Sequence, residues 1–254
     1  MIPSHILFDL DGTLIDSAPT IIDTLSSVLR SRSIKANVEL GSWLIGPPLR
    51  EVLTKIVGSS SPGILDDLME NFVREYDSKA YRFTSPFEGV DSTLSTLKEK
   101  GHFLYIVTNK RIAPTRLILE HLDWAKYFEG VYSQDAFDPR LGSKKEAIDR
   151  AIEIHNIPRD QAIYIGDRFE DEDAARGVGI AFGAATWGYT NWPNGLPSLC
   201  ILKPTDIPSR IPFASRTDIS NPTPSSTLDA KDARPSFLPR LYRPNRFGNN
   251  DPFP

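Results

Sequence analysis

The chain is almost without cysteine and has no long apolar run, and each shortage removes a class of protein. Cys200 is the only cysteine, so no internal disulfide and no thiolate metal cluster can form, and a reducing cytoplasm is the simplest home. The longest purely apolar stretches run to about five residues, against the roughly 20 that cross a bilayer, so no membrane partner is expected. The first residues show no basic patch followed by an apolar segment, and Asp9 and Asp11 interrupt them early, so no signal peptide is expected there. Positive charge is not in excess either. A net charge of -4, with no zinc-finger or helicase-like signature, gives no footprint for nucleic acid. No two prolines stand three apart, which excludes a PxxP ligand. What is there, 254 residues of which 40% are hydrophobic and 24% charged, is the composition of a globular protein with one or two cores.

Apolar runs at His5–Asp9, Phe103–Thr108, Ala162–Gly166 and Ile180–Ala184 read as strands, with helical patterns between the later ones. Such alternation predicts a parallel sheet covered on both faces, an α/β fold. From Ser17 to about Phe83 the rhythm changes to helix after helix, as an insertion would. Ile21, Leu25, Val28 and Leu29 share one helical face, and Ile64/Leu65, Leu68/Met69, Phe72/Val73 and Tyr76 recur at three-to-four spacing; both stripes read as core. Pro19 and Pro114 suit first turns of helices. Beyond Phe213 the periodicity fails. Ser215–Pro254 holds seven prolines and mixed charges and reads as a disordered tail, with Arg234–Phe247 as its one basic and aromatic stretch.

The chemistry gathers where strands end. In His5-Ile6-Leu7-Phe8-Asp9-Leu10-Asp11-Gly12-Thr13-Leu14, Asp9 and Asp11 share one face of the strand and Leu10 points away. Two carboxylates this close repel unless a cation or proton sits between them, which a divalent metal would supply. A turn closing the strand is the plainer alternative. An EF-hand is excluded, because counting from Asp9 puts Thr13 and Leu14 where the next acid and the glycine belong. Since ligands of open α/β sheets collect at the carboxyl ends of strands, the other exits matter as well. One is Thr108-Asn109-Lys110, and another is Gly166-Asp167-Arg168-Phe169-Glu170-Asp171-Glu172-Asp173, where Asp171 or Asp173 could also just cap the next helix. Lys144 and Lys145 open a helix, where lysine is electrostatically unfavourable and hints at a nearby anion.

In order and spacing these segments resemble the four motifs of the haloacid dehalogenase superfamily, in the branch similar to phosphoglycolate phosphatase. Asp9-Leu10-Asp11-Gly12-Thr13 resembles the first motif, Thr108-Asn109-Lys110 the second, Lys144 the third, and Gly166-Asp167 with Asp171 the fourth. The third motif of this branch is often Lys-Pro, and here Lys145 follows Lys144; Lys144 fits the usual distance to Gly166-Asp167. Among Glu170, Asp171 and Asp173, the spacing Asp167-x-x-x-Asp171 matches. The resemblance covers Ile6 to about Gly188 and implies a Rossmann-like core at 1–16 and 84–213, a helical cap at 17–83, and a tail at 214–254 outside the match. Trp43-Leu44-Ile45-Gly46-Pro47-Pro48-Leu49-Arg50 is similar to the cap loop over the active site.

By resemblance, Asp9 is the nucleophile, Asp11 the acid–base, and Thr108 and Lys144 stabilise the phosphoryl group. Mg²⁺ is held by Asp9, the backbone carbonyl of Asp11 and Asp167, with Asp171 orienting that shell. Asn109 and Arg50 lie toward the substrate, a small phosphate monoester that is a phosphoglycolate-like metabolite or a nucleotide. Arg50 could pair with a carboxylate, and Trp43 could stack on a nucleobase or fill the cap. The four histidines, His5, His102, His121 and His155, are expected to be structural. A phosphomutase of the same superfamily would keep every one of these core residues. A dehalogenase would not need Asp11, and a non-enzymatic regulator is expected to have lost a motif residue, which this chain has not.

Overall fold

Strand β1 (His5–Phe8) alternates Ile6 and Phe8 toward one side and Leu7 toward the other, and all three are buried. A strand with apolar residues on both faces must be covered on both. The computed structural model, which describes residues 4–211 apart from 59–60, 191, 193–194 and 196, places it at the centre of a six-stranded parallel sheet. The chain divides into two compact units, Met1–Ser215 and Arg216–Pro254. The second lies wholly outside the described residues, and with it the tail reading and Arg234–Phe247.

After β1 come a short strand β2 (Ile15–Asp16) and helices α1 (Ala18–Ser31), α2 (Leu49–Val57) and α3 (Pro62–Ser78). The chain returns through β3 (Ser85–Pro86), antiparallel to β2, so the helical segment leaves and rejoins the rest through one two-stranded ribbon. Then follow α4 (Val90–Glu99), β4 (Phe103–Thr108), α5 (Ile112–His121), β5 (Phe128–Ser133), α6 (Lys144–His155), β6 (Ala162–Gly166), α7 (Phe169–Val178), β7 (Ala181–Ala185), β8 (Cys200–Ile201) and α8 (Ile207–Arg210). The strand order is β5-β4-β1-β6-β7-β8. From β1 the sheet grows first one way through β4 and β5, then the other way through β6, which opens a crevice at the carboxyl ends between the halves.

Register brings the strand exits together: Phe8 lies opposite Ile106 of β4 and Ile165 of β6. Ala147, Ile148, Ala151 and Ile152 of α6 and Ala174, Ala175 and Val178 of α7 cover the face carrying Leu7, Tyr105, Val107 and Tyr164. The opposite face, with Ile6, Phe8, Leu104, Ile106, Ile163 and Ile165, shares its core with α4, α5 and the helices of 18–78.

Three sequence expectations need correction. Strands β5 and β8 and the β2–β3 ribbon are additional: Phe128-Glu129-Gly130 carries a charge and a glycine that hide its strand character, and two-residue strands show no period. The last predicted strand lies one residue later, at Ala181–Ala185. The helical stripes are only partly core. Leu65, Leu68 and Tyr76 are buried while Ile64 is 44% exposed, and Ile21, Leu25, Met69, Phe72, Val73 and Tyr76 also line a cavity, because these helices roof the crevice as well as pack on each other.

Candidate active site

Asp9 leaves β1 into a tight turn in which Gly12 adopts φ +86. A Cβ there would stand 2.5 Å from Asp167 Oδ2, so glycine is needed for conformation and for space. Asp167 leaves β6 and Asp171 sits in the first turn of α7; Asp9, Asp167 and Asp171 are 4%, 0% and 0% exposed, and their carboxylate oxygens lie within 4.8 Å of one another. Gly166 and Gly188 leave room for this packing, since side chains there would collide with Asp171 and Asp167. Gly188 is a contributor the sequence reading missed, as a lone glycine in a loop carries no signal of what it faces.

Two polar groups hold Asp167: the Tyr189 backbone N–H donates to Oδ2 at 2.8 Å and the Thr13 hydroxyl to Oδ1 at 3.4 Å. Asp171 does cap α7, accepting the Arg168 N–H at 3.1 Å, and its other oxygen is paired with Lys144. The capping and site readings of Asp171 both describe it. Lys144 Nζ is also 3.2 Å from Asp9 Oδ1, which among the described residues has no donor in hydrogen-bond geometry. Lys145 points elsewhere, exposed and 3.5 Å from Asp149.

Burial pushes Asp9 up to about 6, against the pull of Lys144 and with a further push from Asp171 and Asp11. Burial, then Asp9 and Asp171, raises Asp167 to about 7. Burial first, and the neighbouring carboxylates second, push Asp9 and Asp167 toward protonation, and a bound cation would relieve both. Three buried carboxylates whose oxygens lie this close, with one ammonium shared between two of them, fit a hard, oxygen-seeking divalent ion. The chain as it stands therefore suits the metal that the motifs imply.

Asp11 is separate from this cluster. Its carboxyl turns to Lys110, whose Nζ lies 3.0 Å from Oδ1 and 3.3 Å from Oδ2. Thr108 is buried, and its hydroxyl accepts the Lys110 backbone N–H at 3.2 Å. Asn109 Oδ1 accepts from Gln134 Nε2 at 3.1 Å. These residues line a cavity of about 440 Å³ together with Asp9, Lys144, Arg111, Arg140, Arg168 and the apolar side of α1, α2 and α3.

Residues 6–185 match the family of haloacid dehalogenase-like hydrolases. The chain belongs to that family. A phosphoglycolate phosphatase of Aquifex aeolicus is 30% identical to it over 206 residues, 80% of this chain and 93% of the relative. The tyrosine-protein kinase PtkA of Mycobacterium tuberculosis is 30% identical over 192 residues, 74% of this chain and 63% of that protein. Among solved structures, a haloacid dehalogenase-like hydrolase of Streptococcus pneumoniae superposes with a TM-score of 0.72 at 26% identity, covering 81% of this chain and 96% of its own. This member of the family thus has its acid cluster, its lysine and its cavity at the carboxyl edge of the sheet.

Other residues named from the sequence have less direct places. Arg50 lines the cavity but is ion-paired with Asp66. Trp43 fills neither proposed role: it is 36% exposed, with Lys55 Nζ 4.2 Å above its ring, and the cavity wall begins at Leu44. His5 and His155 bond the Tyr105 and Tyr132 hydroxyls at 3.2 and 2.6 Å, and no histidine lines the cavity. The sequence reading also overlooked Arg168, whose guanidinium donates to Ile45 O at 2.6 Å and so ties the exit of β6 to the loop before α2. Among the described residues no helix is long and apolar enough to cross a membrane.

Proposed function

We propose that the protein is a Mg²⁺-dependent phosphatase that hydrolyses a small phosphate monoester through a phosphoaspartate on Asp9. The observation that carries this is the partition of acids: Asp9 shares a buried cluster with Asp167, Asp171 and Lys144, while Asp11, two residues on, is held apart by its own cation. A nucleophile and a proton carrier need different surroundings, and this division supplies them. In the first step the Asp9 carboxylate forms a bond to phosphorus as the bond to the leaving oxygen breaks, and Asp11 passes its proton to that oxygen. In the second, Asp11 takes a proton from the water that attacks phosphorus, which releases phosphate and restores Asp9. The Lys144 ammonium and the Thr108 hydroxyl offset charge on the phosphoryl oxygens. Asp9, Asp167 and the backbone carbonyl of Asp11 would hold Mg²⁺, with Asp171 steadying them; bound there, the ion neutralises charge on the transferring group.

The helical segment 17–83 acts in this reading as a cap on the core of 1–16 and 84–213. A cavity of about 440 Å³ suits a metabolite-sized ester, and the sequence likeness to phosphoglycolate phosphatases supports a phosphoglycolate-like one. Asn109 and Arg50 lie on the substrate side. The single cysteine suits the cytoplasm. The test is phosphate release from a panel of monoesters with Mg²⁺, with Asp9→Asn as control. Hydrolysis that survives Asp9→Asn would refute the covalent route, and an isomerised sugar phosphate as product would reassign the protein as a mutase.

A further inference from the structure

Lys110 is a buried cation that the proposed chemistry leaves without a task. Its side chain is 7% exposed, and an ammonium taken out of water is costly unless its N–H donors are met. Two of the three are met: Nζ lies 3.0 and 3.3 Å from the two oxygens of Asp11, which share one N–H between them, and 3.0 Å from Tyr76 Oη. These partners distinguish Lys110 from Lys144, which faces the acid cluster. Burial alone would drive the Lys110 ammonium toward neutrality, and Asp11 and Tyr76 more than reverse this.

Tyr76 belongs to α3, one of the helices that roof the cavity, and its ring is stacked on Phe72 at 5.5 Å. The ammonium also lies 4.7 Å from the Tyr76 ring centre. The next residue repeats the connection, since Arg111 pairs through two bonds, 2.9 and 2.6 Å, with Asp77. Two consecutive residues after β4 thus grip two consecutive residues of α3, and one of these grips continues to Asp11.

We propose that Lys110 is a positioning residue: by binding both Asp11 oxygens it fixes the plane of that carboxyl, and through Tyr76 it does so when α3 is seated over the cavity. Proton transfer to the leaving group is thereby coupled to the covered state of the site. The inference rests on the reading of Asp11 as the acid.

The test uses the full chain with Mg²⁺ and compares kcat/KM for p-nitrophenyl phosphate, whose leaving group needs little protonation, with kcat/KM for the fastest alkyl phosphate of the panel. This parameter reports the steps up to the first irreversible one, here phosphoryl transfer to Asp9. Lys110→Met should cost the alkyl ester at least ten-fold more than the aryl ester, and Lys110→Arg should recover most of that ratio. Tyr76→Phe keeps the ring and loses only the hydroxyl, so it reports on the coupling even if Lys110→Met fails to fold. It should shift the ratio about three-fold in the same direction, a modest loss suited to one hydrogen bond. In an Asp11→Asn background, Lys110→Met should leave the ratio where Asp11→Asn alone puts it. Equal losses on both esters, an unmoved ratio in Tyr76→Phe, or effects of Lys110→Met and Asp11→Asn that multiply would overturn the proposal while leaving Asp11 its role. If Asp11→Asn itself leaves the ratio unchanged, the acid assignment falls and the proposal falls with it.

Discussion

Replacing Lys144 by methionine removes the cation that pairs with Asp9 at 3.2 Å and with Asp171. If the carboxylates stayed ionised, leaving them buried without that cation would cost about 3–5 kcal/mol. Proton uptake is the cheaper outcome. Asp9 is already pushed up to about 6 and Asp167 to about 7, and each unit between pKa and pH costs about 1.4 kcal/mol. At pH 7.5 a proton on Asp167 costs under about 1 kcal/mol and one on Asp9 about 2 kcal/mol. The metal-free variant should therefore lose about 1–3 kcal/mol, not the full penalty of a stranded charge. The sign follows from linkage: carboxyls raised above their unfolded values bind protons more tightly when folded, so the loss shrinks as pH falls from 8 to 6 and grows as it rises. Urea unfolding in EDTA at pH 6, 7 and 8 measures it. Added Mg²⁺ should then stabilise the variant more than the parent, because the ion meets carboxylates no longer satisfied by an ammonium. Turnover should fall by about 10²–10³. A stability loss that is absent, or that does not change between pH 6 and 8, would refute the view that Lys144 neutralises this cluster.

Gly12→Ala forces a side chain to a positive φ and to within 2.5 Å of Asp167 Oδ2; it should cost about 1–3 kcal/mol and weaken Mg²⁺ binding in calorimetry, and unchanged binding would show that the turn adapts. His5, which burial lowers to about 4, and His155, which burial also lowers, should make the protein less stable in acid. The contribution of His5 is complete above about 6.5, the unfolded value, and drains as pH falls toward 4, and that of His155 is lost in the same direction; a melting-temperature profile should flatten there in His5→Gln, and an identical profile would place the acid sensitivity elsewhere. Asp66→Asn frees Arg50 from an exposed ion pair worth about 0.2–1 kcal/mol. KM for an ester carrying a second negative charge should then fall by up to about five-fold with aryl phosphate unaffected, whereas equal changes on both would assign Arg50 to helix packing.

Much of the site is legible in the chain because its reactive residues directly follow apolar runs. Asp9 and Asp11 after β1, Thr108 at the end of β4 and Asp167 after β6 each announce a strand exit, and a parallel sheet in register must bring neighbouring exits to one edge. Local pattern likewise sufficed for the α/β class and for the helical stretch after Asp16. The destinations of long side chains were not legible. Lys110 and Lys144 are both lysines beside a motif, yet one closes on Asp11, 99 residues away in sequence, and the other on Asp9 and Asp171. Arg50 turns to Asp66, and Trp43 lies outside the cavity that its loop borders. The apolar stripes of α1 and α3 face both their neighbours and the cavity. Periodicity reports which side of an element avoids water, but it cannot say whether that side meets another helix or a ligand space. Only tertiary packing decided that, because the choice among competing partners for a buried charge is made by whichever oppositely charged group the fold brings within reach.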